Sequence, residues 1–409
     1  MSHIIYPSRA KILIVPISSF VFVYDHTGNL TNTSTRYPAD QLQILSETDN
    51  TKYAQKNSSM FSIVTVAGTR PELIKLSEFI RLFDSGEHGL LYTGQHFSPK
   101  MKDIFLEQLG IFPDFDLKCG SSDILILKEM IIKTLKDTKP SHIIVYGDTN
   151  SSMAASLAAQ ELGSKLIHVE AGVRDFDLAV PEEGIRIKID AMSDYLLPPS
   201  DFCKMCLKYE QVRGSIDVTG NLIVDVCKKL SKVAIKPKNL ELPHEFVLLT
   251  MHRPENVDDP VKLDLLRKHL ATLEYTVVFP VHPRTQASMK KHNISLPSNV
   301  IQIDPVGYLE FLFLLNNCRI VLTDSGGVQE EAVVLKKPCI TLRHTSARWE
   351  TILLNANRLF PLDRNGSLNE TIKDMYDVKI TMNPYGENVA LTTYNAIQDF
   401  ISRPSLSPK

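Results

Sequence analysis

The chain of 409 residues is expected to be an α/β protein built from two doubly wound halves that face each other across a cleft. Three observations predict this. From Phe61 onward, short apolar runs alternate with helical patterns. The alternation starts again after a Lys/Pro-rich stretch, 232–245, which reads as a linker. Finally, glycines, cations and carboxylates collect just past the strands. Alternation of this kind argues for parallel strands covered on both faces, and such sheets bind ligands outside their carboxyl ends.

Residues 1–60 differ from the rest and are expected to form a poorly ordered extension. The run Ile12 to Tyr24 is apolar but broken by Pro16 and Ser18-Ser19, and it falls short of the ~20 residues a bilayer demands. Arg9 and Lys11 precede it as in a signal peptide, yet no small-residue cleavage site follows. Asn29 to Ser59 is rich in Ser, Thr, Asn and Gln, a composition that cannot bury enough apolar surface to order itself. The functional part is therefore expected to begin near Met60, and deletion of residues 1–59 should leave folding intact.

In the first half, strands are expected at Ser62–Val66, His88–Tyr92, His142–Tyr146 and Lys165–Val169, with helices at Glu72–Phe83 and Ile124–Leu135 between them. In the second half, strands are expected at Phe246–Thr250, Thr276–Pro280, Ile301–Ile303, Arg319–Leu322 and Pro338–Leu342. No repeat at solenoid period is present.

Composition narrows the chemistry. Hydrophobic content of 43% and charged content of 22% suit a soluble globular protein. A net charge of −2 gives no reason to expect nucleic acid or a membrane as partner. Six cysteines in so long a chain do not make a secreted disulfide framework. Cys203 and Cys206 have metal-like spacing, but no second pair accompanies them and Asp201–Tyr209 reads as helix. Free thiols and a cytoplasmic location are expected, with no metal.

The most informative run is Thr323-Asp324-Ser325-Gly326-Gly327-Val328-Gln329-Glu330-Glu331-Ala332, which joins an apolar strand to a helical pattern. Two glycines let the backbone approach a phosphate, and the first helical N–H groups are unpaired. Acids in the first turn would repel phosphate, so at least one is expected to face neutral hydroxyls, as on a ribose. The Ser-Gly-Gly alone is equally consistent with an ordinary strand-turn-helix.

Other chemistry lies at further strand ends. Gly68-Thr69-Arg70-Pro71-Glu72 opens the first helix, with Lys75 about one turn beyond Arg70, and Gln95-His96 follows the second strand. Asp148 and Glu170 follow neighbouring strands, and Glu182 is expected in a loop, Pro181-Glu182-Glu183, four residues before Arg186. Acids converging on a cleft can serve as general acid and base, although a single strand-end acid is more often a helix cap. In the second half, His252-Arg253, His282-Pro283-Arg284 and Arg343 bring cations to the same rim as the Ser-Gly-Gly turn.

Taken together, these motifs resemble the non-hydrolysing UDP-N-acetylglucosamine 2-epimerases from about Phe61 to Ile401. The resemblance also rests on Gly147-Asp148-Thr149, His168-Val169-Glu170-Ala171-Gly172, Pro181-Glu182-Glu183, Thr219-Gly220-Asn221 and His252-Arg253-Pro254-Glu255-Asn256. It implies a GT-B fold of two Rossmann-like domains, usually as a homodimer, with a UDP-sugar in the cleft. The implied limits are 61–220 for the first domain, completed by a C-terminal helix within 386–409, and 221–385 for the UDP-binding domain.

The implied reaction eliminates UDP to a 2-acetamidoglucal and adds it back with C2 inverted. It is redox-neutral and calls for no metal or nicotinamide cofactor. By motif, Asp148, Glu170 and Glu182 would be the acid/base set and His252 would assist the leaving group. Arg70, Ser325, Gly326 and Gly327 would hold the diphosphate and Glu331 the ribose. Lys75, His96, Arg186, Arg253, Arg284 and Arg343 would complete the polar lining.

The chain also departs from the family pattern. Pro-Glu-Glu-x-Asn-Arg is here Pro181-Glu182-Glu183-Gly184-Ile185-Arg186, and Thr-Glu-Arg-Pro-Glu is here Ser346-Ala347-Arg348-Trp349-Glu350. The loss of an acid and a proline, with the chain's only Trp added, could reshape the sugar pocket. Alternative readings are therefore an epimerase of a modified UDP-HexNAc such as a diacetamido uronic acid, a hydrolysing relative, a glycosyltransferase, or a catalytically idle UDP-sugar-binding protein.

Overall fold

The computed structural model describes residues 61–84, 86–95, 110–238 and 240–403. The expected extension 1–60 and His96 lie outside the described residues. Elements below are numbered among the described ones.

The first sheet has seven parallel strands in the order β3-β2-β1-β4-β5-β6-β7. They are β1 (Ile63–Ala67), β2 (His88–Tyr92), β3 (Phe115–Asp116), β4 (His142–Tyr146), β5 (Lys165–Val169), β6 (Tyr195–Leu197) and β7 (Ser215–Ile216). The second sheet has six in the order β10-β9-β8-β11-β12-β13: β8 (Val247–Thr250), β9 (Val277–Pro280), β10 (Val300–Ile303), β11 (Ile320–Thr323), β12 (Cys339–Thr341) and β13 (Asn357–Leu359). Each order reverses beside its first strand, which opens a crevice at the carboxyl ends. Helices cover both faces, so the central strands are mostly apolar and buried along their length: Ile63, Val64, Val66, Val247, Leu248, Leu249, Ile320, Val321 and Leu322 are all buried, as are the polar Thr65 and Thr323.

Five helices position the site. They are α1 (Arg70–Ile80), α3 (Asn150–Leu162), α4 (Pro181–Met192), α11 (Gly326–Val334) and α12 (Trp349–Leu353), with α2 (Ile124–Leu135) packed on α3. The others are α5 (Asp201–Tyr209), α6 (Ile223–Leu230), α7 (Pro254–Val257), α8 (Pro260–Ala271), α9 (Pro283–Lys291), α10 (Tyr308–Asn317), α13 (Leu368–Tyr376) and α14 (Val389–Ser402). The starts of α1, α4, α7, α8 and α9 each carry a proline at the first or second helical position, where its missing N–H costs no hydrogen bond.

One apolar cluster joins the halves. Leu73, Phe79 and Tyr146 share it with Leu312, Val333 and Ala356. The last helix returns to the first sheet, where Phe400 stacks on Tyr195 at 4.4 Å and Tyr394 meets Phe83 edge-on at 5.0 Å. Among the described residues, no helix is long and apolar enough to cross a membrane.

Candidate active site

The carboxylates of the first half sit where strand pairing delivers them. Tyr146 of β4 is in register with Val169 of β5, so Asp148 and Glu170 emerge side by side one or two residues later. Gly147 turns with φ +62, and a Cβ there would lie 2.9 Å from Glu170 Oε2. Glu170 itself has φ +69, although it is not glycine. A side chain in that region costs of order 1 kcal/mol and persists where its surroundings over-determine it. Its backbone N–H donates to the Leu197 carbonyl at 3.1 Å, tying the turn to β6.

Each carboxylate faces a cation. Asp148 Oδ2 accepts from Arg186 Nε at 2.8 Å. Glu182, expected in a loop, lies in the first turn of α4, and its Oε1 accepts from Arg253 Nη1 at 3.0 Å, across from the second half. Glu170 Oε1 accepts from Lys75 Nζ at 3.2 Å and from Arg348 Nη2 at 2.9 Å. Lys75 also reaches Glu330 Oε2 at 2.8 Å, and Arg348 Nε pairs with Glu330 Oε1. The result is a buried quartet of two cations and two carboxylates contributed by both halves. Burial alone would lower the Lys75 pKa, but Glu170 and Glu330 more than offset it and hold the ammonium above its ordinary value. Burial likewise opposes the charge on Glu330, yet Arg348 and Lys75 keep it below the usual carboxylate range.

Arg186 is the hub of a second network. Besides Asp148, its guanidinium meets Glu183 Oε2 at 2.9 Å and Asp175 Oδ2 at 3.5 Å. Glu183 accepts the N–H groups of Asp175 and Phe176, both at 2.9 Å, which fixes the loop before α4. Arg343 approaches Asp175 at 4.0 Å and pairs with Glu255 at 3.2 Å. Ile185 packs with the apolar cluster between α3 and the first sheet. The lost amide at that position therefore leaves a core contact in its place.

The second half presents the turn. Ser325 caps α11 with an extended backbone, and its side chain makes no capping hydrogen bond. A Cβ on Gly326 would meet nothing nearer than Arg348 Nη2 at 3.9 Å, and one on Gly327 nothing nearer than Ser325 Oγ at 3.9 Å. This helix start is uncrowded, with unpaired N–H groups and a favourable dipole for an anion. One sequence expectation is corrected here: no acid lies in the first turn of α11. Glu330 and Glu331 fall in the second turn, facing Lys75 and Arg348 in one case and the Tyr308 hydroxyl, at 2.8 Å, in the other. Burial pushes Glu331 up to about 7.

Beside the turn, Asp324 is fully buried and accepts the N–H groups of His252 and Arg253 at 3.1 and 2.9 Å. The His252 ring stays partly exposed, 5.3 Å from that of His282, and burial lowers both imidazole pKa values. Arg70 is exposed at the start of α1, and its charge reaches His282 across the cleft. Arg284 instead pairs with Asp258 on the exposed surface. A cavity of about 580 Å³ opens past β9 and β10, lined by Lys238, Gln286, Gln302, Asp304, Val306 and Glu310 among others. None of the expected site residues lines it.

Sequence reasoning assigned no role to Arg348, Glu330, Asp175, Glu183 or Asp324. Arg348 stands within the departing Ser346–Glu350 motif and Glu330 beside the expected ribose ligand, so their positions were visible while their partners were not. Glu72, also unassigned, accepts from Gly68 N, Thr69 N, Thr149 Oγ1 and Ser152 Oγ at 2.7–3.2 Å and welds the starts of α1 and α3 together.

A sequence profile of the UDP-N-acetylglucosamine 2-epimerase family matches residues 83–397. The chain belongs to that family. It is 37% identical over 360 residues to the UDP-N-acetylglucosamine 2-epimerase of Methanococcus maripaludis, covering 80% of this chain and 95% of the relative. It is 38% identical over 334 residues to the UDP-2,3-diacetamido-2,3-dideoxy-D-glucuronate 2-epimerase of Pseudomonas aeruginosa, covering 76% and 94%. The crystal structure of Methanocaldococcus jannaschii UDP-GlcNAc 2-epimerase in complex with UDP-GlcNAc and UDP superposes with a TM-score of 0.75 at 36% identity, over 83% of this chain and 99% of that one. With two parallel-stranded sheets and neighbours of this kind, this epimerase-family chain has the GT-B fold.

Proposed function

We propose that this epimerase-family chain interconverts UDP-GlcNAc and UDP-ManNAc by elimination and re-addition of UDP, acting in the cytoplasm as a homodimer. The observation that carries the reading is the opposition of Asp148, Glu170 and Glu182, each held by a cation, to the uncrowded Ser325-Gly326-Gly327 turn. The C2 proton of a pyranose is not next to a carbonyl, so its removal must be coupled to departure of the C1 substituent. A carboxylate takes the C2 proton, the C1–O electron pair leaves with the β-phosphate, and a C1=C2 double bond forms. An acid then delivers a proton to the other face of C2 while the phosphate oxygen closes on C1. Atoms and electrons balance, and only the configuration at C2 has changed.

In this scheme Asp148, Glu170 and Glu182 handle the protons. Ser325, the first N–H groups of α11, Arg70 and His252 stabilise the departing diphosphate, with Arg253, Arg343 and Arg186 around it. Glu331 takes the ribose hydroxyls, exchanging them for its present bond to Tyr308. Because Val306 and Ile303 of the open cavity pack in one cluster with Val328, which follows the two glycines, the base end is assigned to that cavity. Lys75 and Arg284 complete the lining.

A second reading, a modified UDP-HexNAc as substrate, is supported by the Pseudomonas relative and by Ala347. Ala347 packs on Val173 and Cys203 where the family carries an acid. Proton NMR with UDP-GlcNAc in D2O decides between them. UDP-ManNAc bearing deuterium at C2 is the expected product. Free ManNAc with UDP would indicate hydrolysis. Turnover only of a diacetamido uronate would favour the second reading, and UDP binding without turnover of either would leave a binding protein.

A further inference from the structure

Arg348 lies at the junction of the two chemistries just described. Its guanidinium is buried, with Nη2 2.9 Å from Glu170 Oε1 and its Nε on Glu330. The same Nη2 is the atom nearest to where a Cβ of Gly326 would stand, at 3.9 Å, so it also borders the phosphate turn. The backbone behind it is fixed: Arg348 N–H donates to Ser346 Oγ at 3.0 Å, and that hydroxyl donates to Gln329 of α11 at 2.6 Å. Gln329 also accepts from Asn357 at 3.0 Å, and Glu330 Oε1 accepts from Asn221 Nδ2 at 2.9 Å.

We infer that Arg348 is a positioning residue for the reaction: it locks the Glu170 carboxylate in place beside the phosphate turn, where the two halves meet. The inference rests on the epimerase reading above. Glu170 and Lys75 come from the first half, while Arg348 and Glu330 come from the second, so the carboxylate is fully held only when the halves meet. The guanidinium donates a hydrogen bond to Glu170 from Nη2 while its Nε is ion-paired with Glu330, so the planar group sets the direction of the Glu170 contact as well as its charge. Lys75 supplies charge to the same carboxylates but no such fixed fork. The departing Ser346–Glu350 motif keeps this arginine between two altered neighbours, which fits a duty toward Glu170 more than toward the sugar.

The test compares Arg348→Gln and Arg348→Lys in the full chain. Arg348→Gln is expected to lower kcat about 100-fold, the usual effect of a small displacement of a reacting group, while UDP affinity by calorimetry stays within about threefold. Added ethylguanidinium should recover about tenfold of the loss by restoring the charged contact. Arg348→Lys should fall between, and it serves as the deciding variant if the glutamine form does not fold. Unchanged kcat, or a loss confined to KM and UDP affinity, would overturn the inference. A crystal structure of the variant is the readout independent of turnover. A Glu170 carboxylate still in its wild-type place would sink the inference even for an idle chain, whereas a wild type inactive on both UDP-GlcNAc and the diacetamido uronate would sink only the epimerase reading.

Discussion

On the first rim of the cleft, Asp148, Glu170 and Glu182 each face a guanidinium or an ammonium, whereas on the second rim the turn at Ser325-Gly326-Gly327 is left uncrowded and its capping hydroxyl unused. The proposed function gives this difference a physical cause. A carboxylate that exchanges protons must be held still and kept charged until it acts, so its partners are built in. A site for a diphosphate must leave its own partners vacant, because the ligand supplies the opposite charge. On the proposed reading, compensation within the chain goes with proton handling, and its absence goes with anion binding.

The largest expected effect breaks the first rim. Asp148→Asn and Glu182→Gln should cut kcat by roughly 10²–10⁴, with UDP affinity and the melting temperature nearly unchanged. Steady-state kinetics beside calorimetry would show it, and unimpaired turnover in both variants would remove them from the acid/base set. Ser325→Ala probes the second rim. A hydrogen bond to a charged group contributes roughly 1.5–3 kcal/mol, so UDP affinity should drop by that much, and an unaltered affinity would move the diphosphate elsewhere.

Next is Gly68→Ala, which touches neither set of charges. A Cβ there would stand 2.1 Å from Ser151 Oγ, itself bonded to Gln95. The overpacking should cost about 1–3 kcal/mol of stability, read from urea unfolding. If stability is unchanged, the packing at the start of α1 is looser than the geometry indicates.

A pH series sharpens the contrast at Glu331. Burial pushes this acid up to about 7 from an ordinary 4.5. Between those values the folded chain holds a proton that the unfolded chain has released. Its contribution to stability is therefore complete below about 4.5 and is lost as pH rises through about 7. Melting temperatures should fall over that interval, and Glu331→Gln should flatten the slope. Equal slopes in the two proteins would assign the pH dependence to other groups. The smallest effect belongs to Arg284→Ala. Its partner Asp258 is exposed like itself, and exposed pairs contribute little, so melting should not change. A large loss of UDP affinity would instead show Arg284 leaving Asp258 for substrate.

Much of the scaffold could be read before any coordinates. The strands His142–Tyr146 and Lys165–Val169 and the helix Ile124–Leu135 have the limits expected of them. Their Val/Ile runs and helical spacing are local signals that burial only reinforces. Short β6, β7 and β13 were not expected, because two or three residues of strand carry too little pattern to stand out. Expected site residues from both halves meet in the structure, as Glu182 does with Arg253.

What the sequence by itself determined was the type of the longer elements and the identity of the groups at the strand ends, since both depend on neighbours a few residues apart. Which charge answers which was decided only by the tertiary structure. Glu170 meets Arg348 178 residues away and Lys75 95 residues away, and Coulomb attraction follows distance in space rather than along the chain. The same holds for Glu331, whose raised pKa comes from burial against elements that only the finished fold brings together.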